Sequence, residues 1–276
     1  MDQEGGPVDR FRAITGRSPA FDGAWATGEA ERSGALAGEI CAAFSIDWDL
    51  APVVDRAIEG AGSAILAGRA ASADPGETIA AAAAFLEGLD AFGVAGCLKH
   101  FPGLGRAAVD SHLVLPRIAD DPEELEKDLA PFRSLAGRAP AVMVSHAAMG
   151  HGSRPATLDA AMATDLLRRD VGFEGLAISD DLEMGALAEF GAIPDRALLA
   201  FDAGCDLLCV GKDTAALPEA AEAIERGSTA SRRDEGRRRI GVFRETLRRL
   251  GAARRSRPRA IAAIAEAFRE ASAFRS

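Results

Sequence analysis

Short apolar runs alternate with longer amphipathic ones along almost the whole chain, and no two apolar runs are joined by a tight-turn signal. The runs are Ile46 to Val54 (interrupted by Asp47, Asp49 and Pro52), Val94 to His100, Ala141 to Val144, Gly175 to Ile178 and Leu207 to Val210. Between them lie helical stretches, Gly28 to Phe44, Asp74 to Phe92, Asp121 to Gly137, Thr157 to Arg169 and Ala186 to Ala203. Asp74-Pro75-Gly76-Glu77 and Asp121-Pro122-Glu123-Glu124 are strong helix starts. In each, Asp caps, Pro fits the first helical position and an acid follows in the first turn. Strand–helix alternation without hairpins specifies βα units and a parallel sheet, an α/β fold. Helices then fill the chain to its end, with Pro218 near one start and Arg257-Pro258 breaking another.

The strands turn polar at their carboxyl ends, which is where a parallel-sheet enzyme presents its chemistry. Val94–Leu98 runs into Lys99-His100-Phe101-Pro102-Gly103, and a loop then delivers Asp110-Ser111-His112. The next strands end in Ser145-His146 and Ser179-Asp180-Asp181. In a barrel these ends share one face and surround one pocket.

Composition narrows the class. The net charge of −10 argues against general nucleic-acid binding. From Arg232 onward, however, there are fourteen arginines against five acids. A solvated helical face accounts for this, with an anionic partner as the lesser alternative. No apolar run approaches the ~20 residues of a membrane span, and Met1 to Arg12 has no signal-peptide character. The four cysteines, Cys41, Cys97, Cys205 and Cys209, form no CxxC pair and read as reduced thiols of a cytoplasmic protein. Neither GxGxxG nor a P-loop follows any strand, so no nucleotide cofactor is expected.

Three readings of the polar face remain open from the residues themselves. One is glycoside cleavage, in which a carboxylate stabilises or attacks the anomeric centre and a second group handles the proton. Another is metal-assisted hydrolysis through His100, His112, His146 and Asp180, which lack HxH or HExxH spacing. The third is no chemistry at all.

Lys99-His100-Phe101-Pro102-Gly103, Asp110-Ser111-His112 and Ser179-Asp180-Asp181-Leu182-Glu183-Met184 resemble the glycoside hydrolase family 3 β-N-acetylglucosaminidases of bacterial cell-wall recycling. Asp2-Gln3-Glu4-Gly5-Gly6 with Arg10-Phe11, Leu50-Ala51-Pro52-Val53 and Asp202-Ala203-Gly204-Cys205-Asp206 fit the same pattern in order. The resemblance reaches to about Gly211 and implies a TIM-type (β/α)8 barrel fold. It implies one catalytic domain over residues 1–276, with a basic helical region from about residue 213. It further implies a retaining exo-β-N-acetylglucosaminidase acting on muropeptides or chitooligosaccharides ending in N-acetylglucosamine. The expected setting is cytoplasmic, with no metal, cofactor, membrane or nucleic acid. Asp180 then matches the nucleophile, His112 the acid/base and Asp110 its partner. Asp2, Arg10, Arg69, Lys99 and His100 match residues that hold the sugar. His146 receives no role, and Asp181 is a structural neighbour. A phosphorylase of the same family and a non-catalytic remnant are the alternatives.

Two departures from the family pattern stand out. Leu104 occupies the position where the family usually has a second histidine, Lys-His-Phe-Pro-Gly-His-Gly. The Asp-Gln-Glu-Gly-Gly loop, which in the family follows the third barrel strand, here begins at residue 2. The expectation is therefore a partial barrel of about five parallel strands. A valine start codon read before Asp2, in a longer reading frame, is the expected origin of that register.

Overall fold

A computed structural model describes residues 1–16, 27–58, 66–150 and 152–273. The glycine-containing loop before Arg69 lies partly outside the described residues.

The chain opens with β1 (Gln3–Gly5) and β2 (Val8–Asp9), an antiparallel pair, followed by the single turn α1 (Arg12–Thr15). Two long helices come next, α2 (Thr27–Ala43) and α3 (Pro75–Ala91). Then come β3 (Cys97–Phe101), the short β4 (Arg117–Ile118), α4 (Pro122–Leu135), β5 (Ala141–Val144) and β6 (Ala148–Met149). The remaining elements are β7 (Leu176–Asp181), α5 (Ile193–Ala203), β8 (Leu207–Cys209), α6 (Leu217–Gly227), α7 (Ala230–Ala252) and α8 (Ile261–Ala273). Strands β3, β5, β7 and β8 form one parallel sheet in sequence order. The chain is an α/β protein with a parallel sheet and covering helices, as its alternation requires.

The expected first strand is not continuous. Residues 46–54 run parallel to β3 and bond to it through isolated bridges, Trp48 with Ala95 and Val53 with Lys99. Between these bridges Cys97 N–H bonds the Ala51 carbonyl (2.7 Å), and the segment holds one residue more than its partner, which breaks the regular ladder. Leu50 N–H in turn donates to the Met1 carbonyl (2.6 Å), placing the start of the chain along the outer side of this segment.

Both predicted capping sites form. The Asp74 carboxylate accepts from Glu77 N–H (2.9 Å), and that of Asp121 from Glu123 and Glu124 N–H (3.1 Å each). Two predicted helices are divided. At 157–169, the Thr157 hydroxyl is drawn onto the sheet, against the carbonyls of Val144 (3.0 Å) and Ser145 (2.6 Å). A 3-10 turn (Ala156–Leu158) therefore precedes a π-helical segment (Ala161–Asp170), whose first N–H is capped by Asp159. At 186–203, Gly191 turns the chain at φ +88°, and Asp195 accepts from Ala192 N–H (3.0 Å). Helix α5 starts only after that turn.

Alternation along the strands sorts side chains to two sides. Leu98, Val142, Val144 and Ala177 join Phe85 and Leu89 of α3, Leu129 and Phe132 of α4, and Leu167 in the main core. Cys97, Ala141, Met143, Leu176 and Ile178 face the other way and pack with Phe243 and Ile240 of α7 and with Trp48. Trp48 and Phe243 meet edge to face at 4.7 Å. Helix α7 thus lies across the inner side of the sheet. Its stripe is fixed at the lower end by Asp206, whose buried carboxylate pairs with Arg168 (2.7 Å), Arg232 and Arg239 (3.3 Å each). Burial, with the two neighbouring guanidiniums also working against the charge, pulls Arg168 down to about 10 despite its Asp206 partner.

Removing one member of such a group leaves buried charge without its partner. Asp206→Ala is therefore expected to destabilise the protein by about 3–5 kcal/mol, measured as a lowered urea midpoint. An unchanged midpoint would show that Asp206 does not hold α7.

Candidate active site

The parity that sends Leu176 and Ile178 inward also sends Asp180 inward, at the carboxyl end of β7. Cys97 and Lys99 are related in the same way on β3. These ends open into a cavity of about 310 Å³, lined among others by Asp2, Glu4, Arg69, Lys99, His100, His112 and Asp180. Arg10 and Leu104 also reach it, whereas Asp110 stands behind His112. All the residues singled out from the sequence are thus on this cavity or one bond away from it.

Its wall is a buried ion cluster. Lys99 Nζ lies 2.8 Å from Asp2 Oδ1 and 2.5 Å from Glu4 Oε1. Arg69 grips Glu4 with two bonds, Nε to Oε2 (2.6 Å) and Nη2 to Oε1 (2.8 Å). Burial is the largest influence and raises both acids, but Lys99 together with Arg69 at Glu4 and with Arg10 at Asp2 outweighs it. Asp2 falls from its ordinary 3.8 to about 2, and Glu4 from 4.5 to about 2. The same acids hold Lys99 protonated against its burial, well above the usual lysine value. Arg10 is more loosely placed, 3.6 Å from Asp2 and 59% exposed.

His100 is held from below. Asp55 Oδ2 accepts from its backbone N–H (3.1 Å) and from Nδ1 (2.6 Å), which turns Nε2 towards Arg69 Nη2 at 3.5 Å. Asp55 Oδ1 accepts Leu104 N–H (2.6 Å). Leu104 itself packs with Ala107, Ile118 and Ala147, making the base of the following loop apolar at the position of the family's second histidine.

Asp180 accepts the Asp181 N–H at Oδ1 (2.8 Å). Burial pushes its carboxyl up, but the protonated forms of His146 and His100, that N–H and Lys99 together hold it below the ordinary carboxylate value. It is an anion at neutral pH. His146, fully buried, bonds the Asp181 carbonyl through Nε2 (2.9 Å) and Thr157 Oγ1 through Nδ1 (2.8 Å). A carbonyl only accepts, so Nε2 carries the proton, and burial drives the His146 pKa down. His146 thus braces the turn after Asp180. Asp181 is a neighbour in the same sense, its Oδ1 accepting from Glu183 N–H (3.0 Å) and Gly211 N–H (3.2 Å).

His112 sits on the loop after β3, 61% exposed in its side chain. Asp110 Oδ1 accepts from both its backbone N–H (2.7 Å) and Nδ1 (2.8 Å). This fixes the ring and leaves Nε2 as the nitrogen available for proton transfer. These bonds outweigh the slight burial of Asp110 and keep its carboxyl below the ordinary value. The loop tip is attached to the turn after β7, where Gly185 and Ala186 N–H donate to the carbonyls of His112 (3.0 Å) and Ser111 (3.1 Å).

Sequence reasoning passed over three residues. Glu4 joins Lys99 to Arg69; its place in the Asp2–Gly6 loop, two residues from Asp2, was the available signal. Asp55 organises His100 and Leu104 from an otherwise apolar run. Asp49 is buried and driven up to about 8 by that burial. Its Oδ1 accepts Gln3 N–H (2.8 Å), tying the loop of Asp2 and Glu4 to the segment beneath it. Among the described residues, no three His, Cys, Asp or Glu side chains converge as metal ligands.

The model for the glycosyl hydrolase family 3 N-terminal domain matches residues 1–241. The chain belongs to that family. A beta-hexosaminidase of Alkalilimnicola ehrlichii is 38% identical over 231 residues, covering 79% of this chain and 66% of that protein. One from Neisseria meningitidis is also 38% identical, covering 76% of this chain and 61% of that protein. The chain therefore spans about two thirds or less of these relatives. Among solved structures, a family 3 beta-N-acetylglucosaminidase from a Paenibacillus strain superposes with TM-score 0.85 at 26% identity, over 98% of this chain and 55% of that one. NagZ from Neisseria gonorrhoeae superposes with TM-score 0.76 at 29% identity, over 99% of this chain and 79% of that one.

The ion cluster has a defined pH signature. Asp2 and Glu4 are depressed in the folded state, so their stabilisation is complete above their ordinary pKa values and is lost as the pH falls towards about 2. Thermal midpoints should fall across that window. Lys99→Met, which removes the cation that depresses both, should flatten the fall; an equally steep fall would show that Lys99 does not set these titrations.

Proposed function

We propose that this chain is a retaining exo-β-N-acetylglucosaminidase, with Asp180 as nucleophile and His112 as acid/base. The observation that carries this is a single cavity lined by both a buried anionic Asp180 and a carboxylate-oriented His112. In the first step the Asp180 carboxylate attacks the anomeric carbon. His112 Nε2–H gives its proton to the departing glycosidic oxygen, and a glycosyl-aspartate remains. In the second step the neutral ring takes a proton from water, which attacks the same carbon and frees Asp180 with overall retention. Asp110 steadies the imidazolium of the first step through Nδ1. A histidine can exchange protons near neutrality where a carboxylic acid would need a raised pKa.

Asp2, Arg10, Arg69, Lys99 and His100 would bind the hydroxyl and acetamido groups of the terminal sugar. The cavity is at the small end of ligand sites, which fits one sugar ring and hence removal of terminal residues. The names of the hexosaminidase relatives support N-acetylglucosamine as that ring. A muropeptide as substrate and a cytoplasmic setting belong to this proposal. None of the described helices is long and apolar enough to cross a membrane.

The assay is release of 4-nitrophenol from its β-N-acetylglucosaminide, with and without inorganic phosphate, which separates hydrolysis from phosphorolysis. Asp180→Asn should lower kcat by roughly 10³-fold or more, since it removes the nucleophile. Activity unchanged in that variant would remove Asp180 from the role.

A further inference from the structure

The loop that presents His112 buries Ala107 and Ser111 but keeps its large apolar side chains outside. Val109, Leu113 and Val114 are 42%, 74% and 50% exposed. Its position therefore depends on how its ends are held. At the tip, among the described residues, two backbone bonds join it to Gly185 and Ala186. At the root the structure is different.

There, one buried carboxylate joins three elements. Asp128 of α4, 1% exposed in its side chain, accepts from Arg56 Nε at Oδ1 (2.8 Å) and from Arg106 Nε at Oδ2 (2.7 Å). Arg56 continues to Glu124 Oε2 (2.5 Å), and it follows Asp55, the residue that fixes His100 and Leu104 N–H. Arg106 also donates from Nη1 to the Ala119 carbonyl (3.0 Å), just beyond the loop's returning end. A single guanidinium therefore spans the loop's neck, tied to α4 with one nitrogen and to the returning strand with another. The approach is close: a Cβ on Gly105 would stand 2.3 Å from the Arg56 carbonyl oxygen.

We propose that Arg106, locked by Asp128, is a positioning residue for His112. It closes the neck of the 107–116 loop and so fixes the distance from the imidazole to the cavity. The fork geometry matters here, because an ammonium is a point donor and cannot reproduce two divergent, fixed N–H bonds. With apolar Leu104 beneath the loop, this guanidinium supplies a side-chain bond that joins its two ends at the root. The catalytic part of this inference rests on the function proposed above; the mechanical part does not.

Arg106→Met tests it, since Asp128 keeps its Arg56 partner and no buried carboxylate is left unpaired. Hydrogen exchange of the amides in 107–116 should accelerate about tenfold or more while α3 and α4 stay protected. Arg106→Lys should give an intermediate effect. In kinetics, kcat/KM for a sugar leaving group, which needs the proton from His112, should fall about tenfold or more. For a 2,4-dinitrophenyl leaving group, which departs without protonation, it should change less than about twofold. Unaltered exchange over the loop overturns the clamp. An equal fall for both substrates overturns the link to His112. A wild-type chain inactive on both substrates would instead count against the proposed hydrolase, and the exchange result would still decide whether Arg106 holds the loop.

Discussion

One buried ammonium organises the upper end of this molecule. Lys99 Nζ stands between Asp2 and Glu4, and only by pairing with them does it remain charged so far from water. In return it fixes the first residues of the chain against the end of β3, and Glu4 passes the constraint to Arg69. Asp49 secures the same loop from beneath through Gln3. These groups share one logic: each buried charge or donor is tied to a partner from a different stretch of chain. The wall of the cavity is therefore assembled from segments nearly a hundred residues apart in sequence.

Asp180 depends on that arrangement without touching it. Its charge is favoured by an N–H from its own turn and by a field to which Lys99 contributes. His146, sealed against Thr157 and the Asp181 carbonyl, keeps the turn in shape. The two histidines at strand ends thus serve as struts. The one on the exposed loop keeps a free nitrogen. Burial separates scaffolding rings from the ring suited to moving protons.

Much of this was legible beforehand. Apolar alternation specified the parallel sheet, and Asp74 and Asp121 marked helix starts because capping is local chemistry. The residues at the strand ends could be named because a parallel sheet collects them on one rim. Long-range pairing was hidden. Glu4, Asp55 and Asp128 gain their meaning from partners 95, 45 and 22–72 residues away, and no window of sequence displays that. The two divided helices were misjudged for the same reason: Thr157 follows the sheet carbonyls, and Gly191 follows a turn that helical periodicity does not register. The run at 46–54 was read as strand and loop, and it keeps only isolated bridges because it holds one residue more than its partner between them.

The placement of α7 has an outcome for traffic through the cavity. Met143, Leu50 and Cys209 line it from below and belong to the same apolar layer as Phe243, Leu247 and Ile240. The helix stoppers the underside of the sheet. A molecule bound there rests on an apolar floor, so passage through the underside of the sheet is blocked.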